Sequence, residues 1–241
     1  MTVLKASLLG VTTAIALSSN LAPALAQAVV NGDFNTGSFT PGWETLGTTS
    51  IEDSSFGIAP PSGMTYQALM QTDQGTTGAS AAALESFLGL APNSLSSQGV
   101  TEGSAIRQTL FVNAGDTLSF NWNFLTDQDP GSVDNNDFAF FTLGGTLITL
   151  ADTFTPSVPS LFSPFARETQ YASFTYTAPS TGGYTLGFGV VDVGDSAVNS
   201  GLLVTNVVNT PVPEPLTLFG SLAALGFLAK ARRQGDRPLQ D

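Results

Sequence analysis

Two stretches of the chain alternate strictly between large apolar and small or polar residues. In the first, Leu118, Phe120, Trp122 and Phe124 are interleaved with Thr117, Ser119, Asn121 and Asn123. In the second, Tyr184, Leu186, Phe188 and Val190 are interleaved with Thr185, Gly187 and Gly189. A period of two puts every large group on one face of a half-buried strand. Shorter strands are predicted over residues 105–112, 138–143, 171–176 and 201–208, and the polar stretches 113–116 (NAGD) and 179–183 (PSTGG) predict hairpin connections. The segments TLSF and TLGF follow these two turns, an echo that shared turn chemistry explains as well as an internal repeat would. Only residues 80–90 (SAAALESFLGL) carry a helical pattern, ended by Gly89 and Pro92. Many short antiparallel strands with one helix predict an all-β fold, a jelly-roll β-sandwich whose inner faces bury the aromatic rows. An open barrel is the alternative.

The ends break this pattern. Lys5 precedes an apolar stretch over residues 6–17, and Ala24-Leu25-Ala26 and Ala26-Gln27-Ala28 both place small residues at the spacing of a cleavage site. Residues 1–28 are therefore expected to be a secretory signal helix, cut after Ala26 or Ala28. At the other end, residues 206–212 read as a linker out of the body, residues 29–205. Pro213, Glu214 and Pro215 then precede an apolar run over residues 216–229, followed by Lys230, Arg232 and Arg233. As a helix that run spans roughly 21 Å, against about 30 Å of hydrocarbon. It suits a transient address better than a permanent anchor. The cations favour leaving residues 234–241 as a cytoplasmic tail, because positive charge is retained inside.

Charge sharpens the picture. The chain has seven basic and nineteen acidic residues, for a net charge of −12. Five of the basic residues lie in the termini, so the body keeps Arg107 and Arg167 against sixteen carboxylates. Such a surface repels nucleic acid, which needs lysine and arginine to displace its counterions. Cysteine and histidine are both absent. Disulfides, thiolate zinc, histidine-ligated zinc and Ser-His-Asp or Cys-His nucleophiles are thereby excluded.

Two chemistries remain. Asp127, Asp129, Asp134 and Asp137 lie along one loop, TDQDPGSVDNND, at spacings from which hard oxygen ligands can wrap calcium. The spacing does not fit an EF-hand, and the plain alternative is a solvated loop of turn-forming residues. Asp192 and Asp195 join this cluster only if their loops meet at one end of the sandwich. No cofactor is required. Paired carboxylates are the remaining catalytic option, but Glu44, Glu52, Glu85, Glu102 and Glu168 all sit where solvated surface residues are expected. Sugar binding needs an exposed aromatic platform. Trp43 and Trp122 read as core, whereas Tyr66 and Phe162 fall in loop-like sequence.

The tail from Val212 to Arg233, with its Pro-Glu-Pro triplet, short apolar helix and basic cluster, resembles the PEP-CTERM sorting signal of exported bacterial proteins. The resemblance implies recognition by an exosortase-type membrane protease, cleavage near Pro213-Glu214-Pro215, and delivery to the cell surface or extracellular matrix. The extension over residues 234–241 is longer than such tails often are, and a plain C-terminal membrane anchor is the alternative. Either places the body outside the cytoplasmic membrane. The opening VVNGDFNTGSFTPGW, together with NWNFLTDQ, DNNDFAFFTL and GFGVVDVGDSAVNSGLLVTNV, resembles galactose-binding-like jelly rolls and related carbohydrate-binding modules, as found in cyanobacterial exported proteins with this kind of tail. That likeness implies extracellular polysaccharide as a partner and an adhesive, structural or glycan-binding role. It also implies a turn whose glycine tolerates positive φ, and a structural calcium held by acids at two places where this chain has Asn35 and Thr205.

Overall fold

The computed structural model describes residues 27–72 and 78–212. The signal segment up to Ala26, the residues Pro213, Glu214, Pro215, Lys230, Arg232 and Arg233, and the tail over 234–241 lie outside the described residues. Ala28 lies within them and is exposed.

In chain order the strands are β1 (Glu44–Leu46), β2 (Thr48–Glu52), β3 (Gln67–Gln71), β4 (Val100–Val112), β5 (Thr117–Thr126) and β6 (Phe138–Leu143). They continue with β7 (Thr146–Asp152), β8 (Val158–Pro159), β9 (Arg167–Glu168), β10 (Ala172–Thr177), β11 (Gly182–Val193) and β12 (Ser200–Thr210). One antiparallel sheet runs β1-β4-β11-β6-β7; the other runs β2-β3-β12-β5-β9-β8, with β10 also on β5. The two face each other as a jelly-roll β-sandwich, with one helix, α1 (Ala81–Leu88), among the described residues.

The alternating stretches become the central strands. Leu118, Phe120, Trp122 and Phe124 of β5 point into the same core as Leu186, Phe188 and Val190 of β11. The rings of Phe120 and Phe188 meet edge-to-face with centroids 4.7 Å apart, and Phe141 stacks obliquely on both. β6 shows no alternation because both of its faces are covered. Ala139, Phe141 and Leu143 enter the main core, while Phe138 and Phe140 join Leu84 and Leu88 of α1 in a second layer. α1 starts at Ser80, whose hydroxyl accepts from Ala83 N–H, and stops at Gly89 in the left-handed region.

Three expectations are corrected. The turns at 113–116 and 179–183 are not hairpins: β4 and β11 lie in one sheet, β5 and β10 in the other, so each turn is a corner between sheets. The two corners brace each other, Gly115 N–H donating to Ala178 O and Ala178 N–H to Asp116 O. Residues 206–210, read as linker, continue β12 against β5 as far as Thr210. In the opening stretch, Gly37 and Gly42 take positive φ as expected, and Asn31 and Phe34 do so as well. Gly32 is needed for close approach, since a Cβ there would lie 2.0 Å from Val207 O. Finally, Glu85 and Glu102 are buried rather than solvated.

The ends of the described body sit together. Gln27 N–H donates to Phe111 O, and Val212 N–H donates to Asp116 Oδ1, on either side of the 113–116 corner. The loops over 127–137 and 194–199 lie at the other end of β5, about 30 Å away at roughly 3.3 Å per strand residue.

Candidate functional site

The far end of the sandwich gathers the acidic loops, so the condition for Asp192 and Asp195 to approach the first cluster is met. Asp127 N–H donates to Asn199 O, Gln128 Nε2 reaches Asp195 Oδ2 at 3.4 Å, and Val193 N–H donates to Asp137 Oδ1 at 3.0 Å. The four aspartates expected to wrap calcium do not converge. Asp129 and Asp134 are exposed on the loop surface. Asp127 turns away and accepts Ala166 N–H at 2.6 Å, which braces the neighbouring loop. Only Asp137 turns inward, with no exposure. Among the described residues, no group of three or more acidic side chains is placed to hold a metal ion. Asn35 is exposed and bonded to Asp33, and Thr205 is buried with its hydroxyl given to Tyr66 O.

Asp137 instead joins residues that sequence reasoning did not combine. Register pairs Asp192 with Glu102 across β11 and β4, and Val191 with Phe138 across β11 and β6. Glu102 of β4, Asp192 of β11 and Asp137, the residue just before β6, thus lie side by side on the inward face at the strand ends. All three are buried. Asp137 Oδ2 accepts from Ser200 Oγ at 2.7 Å, and Ser200 Oγ lies 2.9 Å from Thr126 Oγ1. Burial pushes Asp137 above the ordinary carboxylate range, despite the bonds from Ser200 and Val193 that oppose it. Burial pushes Asp192 further up, and the charges of Asp137 and Glu102 add to it.

Several loops expose apolar side chains. Val133, Phe154, Val158, Leu161 and Phe162 are five of the eight large hydrophobic side chains exposed among the described residues. Gly131 N–H donates to Thr153 O, and the Thr153 hydroxyl donates to Ser132 O, which seats the Val133 loop beside Phe154. Leu161 and Phe162 sit at the tip of the 160–166 loop and are 78% and 81% exposed. That loop is held from below. Phe165 is buried with Ile58, Leu69, Leu125 and Leu203 in a small core outside the second sheet, while Arg167 donates to Ser157 Oγ and Ser157 O. Of the aromatics considered from sequence, Trp43 and Trp122 are core, Tyr66 packs half-buried against the core, and Phe162 is free to make contacts. Phe154 and the anchoring role of Phe165 were not read from sequence; their spacing carries no periodic signal.

A groove of about 400 Å³ lies elsewhere, between the first described residues and β12, with Asn31, Asp33, Met64, Asn206 and Asn209 in its wall. Asp33 is its only carboxylate. The carboxylates gathered at the far end, Glu102, Asp137 and Asp192, are buried.

No family model matches the chain, and no curated protein matches it in sequence. Among solved structures it is similar to TmCBM61 in complex with β-1,4-galactotriose, at 12% identity and a TM-score of 0.42, covering 77% of this chain and 99% of that one. It is also similar to CBM27-1 of Caldicellulosiruptor saccharolyticus in complex with mannohexaose, at 10% identity and a TM-score of 0.44, covering 77% and 97%. A third similarity is to the enzymatically active domain of bacteriophage CBA120 tailspike protein 4, at 10% identity and a TM-score of 0.38, covering 76% of this chain and 21% of that one.

Proposed function

We propose that the sandwich is the non-catalytic, glycan-binding or adhesive body of an exported protein, sorted to the surface or extracellular matrix through its Pro-Glu-Pro tail by an exosortase-type protease. The observation that carries the binding role is the exposed apolar corner formed by Leu161 and Phe162 at the tip of the 160–166 loop. Solvating two large apolar side chains side by side at a loop tip is unfavourable, and exposed apolar surface of this kind marks contact sites. A flat Phe162 ring offers a face for sugar C–H groups. Ser160 and Ser163 beside it, and the carboxylates of Asp129 and Asp134 on the adjoining loop, offer partners for hydroxyls. The loop is braced before any ligand arrives, so little ordering cost attends binding. Absence of a solvent-reaching carboxylate pair in the described groove favours binding over hydrolysis.

Retention on the polysaccharide of the producing cells tests the reading. Phe162→Ala combined with Leu161→Ala is expected to lower retention at least tenfold with an unchanged melting temperature. Val208→Ser, an exposed apolar position on β12 away from the corner, is expected to leave it unchanged. Equal retention of all three proteins would leave the corner without a role in glycan binding.

A further inference from the structure

We propose that Asp137 and Asp192 share one proton, which clasps the far end of the sandwich shut. Three observations support this. First, register on β4, β11 and β6 sets Glu102, Asp192 and Asp137 in one inward-facing row, with Asp192 in the middle. Second, Asp192 is 1% exposed, and neither of its carboxyl oxygens takes a well-formed hydrogen bond, although the Thr72 hydroxyl lies close enough to favour its charged form slightly. The nearby Thr72 hydroxyl already donates to Asn199 Oδ1 or Ser200 O. Third, among the described residues no cation answers the row. The only basic residues of the described body are Arg107, paired with Glu44, and Arg167, bonded to Ser157. A carboxylate left so would be buried, charged and unbonded, the costliest state for a polar group. A proton on Asp192 removes its charge and turns one oxygen into a donor toward Asp137.

Asp137 is already fixed on both oxygens, by Val193 N–H and by the Ser200 hydroxyl. Ser200 is in turn linked to Thr126, whose oxygen accepts Gln128 N–H. The shared proton therefore ties β6 and β11 to β12 and β5 across the sandwich end, and it steadies the loops over 127–137 and 194–199. The acidic groups facing Asp192 are Asp137 from the loop before β6, Glu102 from β4, and Asp195, whose charge reaches Asp137. All of them disfavour losing the proton. Both folded-state values are raised above the unfolded 3.8, to about 6 for Asp137 and about 9 for Asp192. The pair's contribution is thus complete below about pH 4 and is lost as pH rises through this span.

The test uses the full chain with carboxyl-carbon NMR and thermal melting from pH 5 to 9.5. One aspartate signal is expected to stay protonated at pH 7 and to vanish in Asp192→Asn. The melting temperature of the parent is expected to fall as pH rises, more steeply than that of Asp192→Asn, while Asp134→Asn keeps the parent slope. Asp137→Asn provides the same comparison if Asp192→Asn does not fold, and the NMR of the parent stands alone if neither does. The proposal is overturned if every aspartate is ionised at pH 7, or if the variants retain the parent slope. It is equally overturned if calcium raises and chelator lowers the parent melting temperature at pH 8, since a cation would then hold the row.

Discussion

Glu85 has the composition of a surface residue and the bonding of a core one. It lies on α1 among alanines and leucines, yet its carboxylate accepts the N–H groups of Asn93, Leu95 and Ser96 and the Ser96 hydroxyl, at 2.9 to 3.0 Å. Burial alone would raise its pKa; the four bonds outweigh it and hold the group below its ordinary value. The segment after α1 has little regular structure of its own, so this carboxylate supplies the partners its backbone lacks. Glu85→Ala is expected to destabilise the fold by about 2–3 kcal/mol in urea unfolding, since three N–H groups lose their acceptor. A cost below about 0.5 kcal/mol would mean water replaces it. Gly32 makes a comparable point through sterics. Gly32→Ala drives a Cβ onto Val207 O and is expected to lower the melting temperature by several degrees, with a cost of about 1–3 kcal/mol.

β11 is the element on which both layers depend. It lies between β4 and β6, sends Leu186, Phe188 and Val190 into the main core, and turns Gly187 and Gly189 toward α1 and Phe140. Phe188→Ala removes the ring that touches Trp43, Phe120 and Phe141, with an expected loss of about 3–5 kcal/mol in denaturant unfolding. The alternation of β5 and β11 was legible because each strand buries one row of large side chains. Gly187 and Gly189 misled for the same reason: they resemble a solvent face, whereas a Cβ at either would strike Leu88 or Phe140. The corners at 113–116 and 179–183 were misread as hairpins because turn residues fix a change of direction without fixing which sheet receives the next strand. The acid row was invisible for a related reason. Glu102 and Asp192 are ninety residues apart in sequence and become neighbours only through the β4–β11 register. Loop-like sequence pointed to the exposure of Phe162 but gave no sign of that of Phe154.

For the whole molecule, the two sheets account for a rigid acidic body without disulfides, and the sequence at both ends accounts for its expected route. Mass spectrometry of the protein from its native cells is expected to find a species that begins at Gln27 or Val29 and ends near Pro213. Recovery of an intact chain from Met1 to Asp241 in the cytosol would contradict export. The position of Gln27 and Val212 on one side of the 113–116 corner then has a mechanical consequence. Whatever precedes or follows the body emerges at a single pole, so a tether at the tail holds the domain like a bud on a stalk. The proton-bearing row sits at the crown, farthest from the root. Contact with the surroundings and exposure to their acidity would be felt first at the same place.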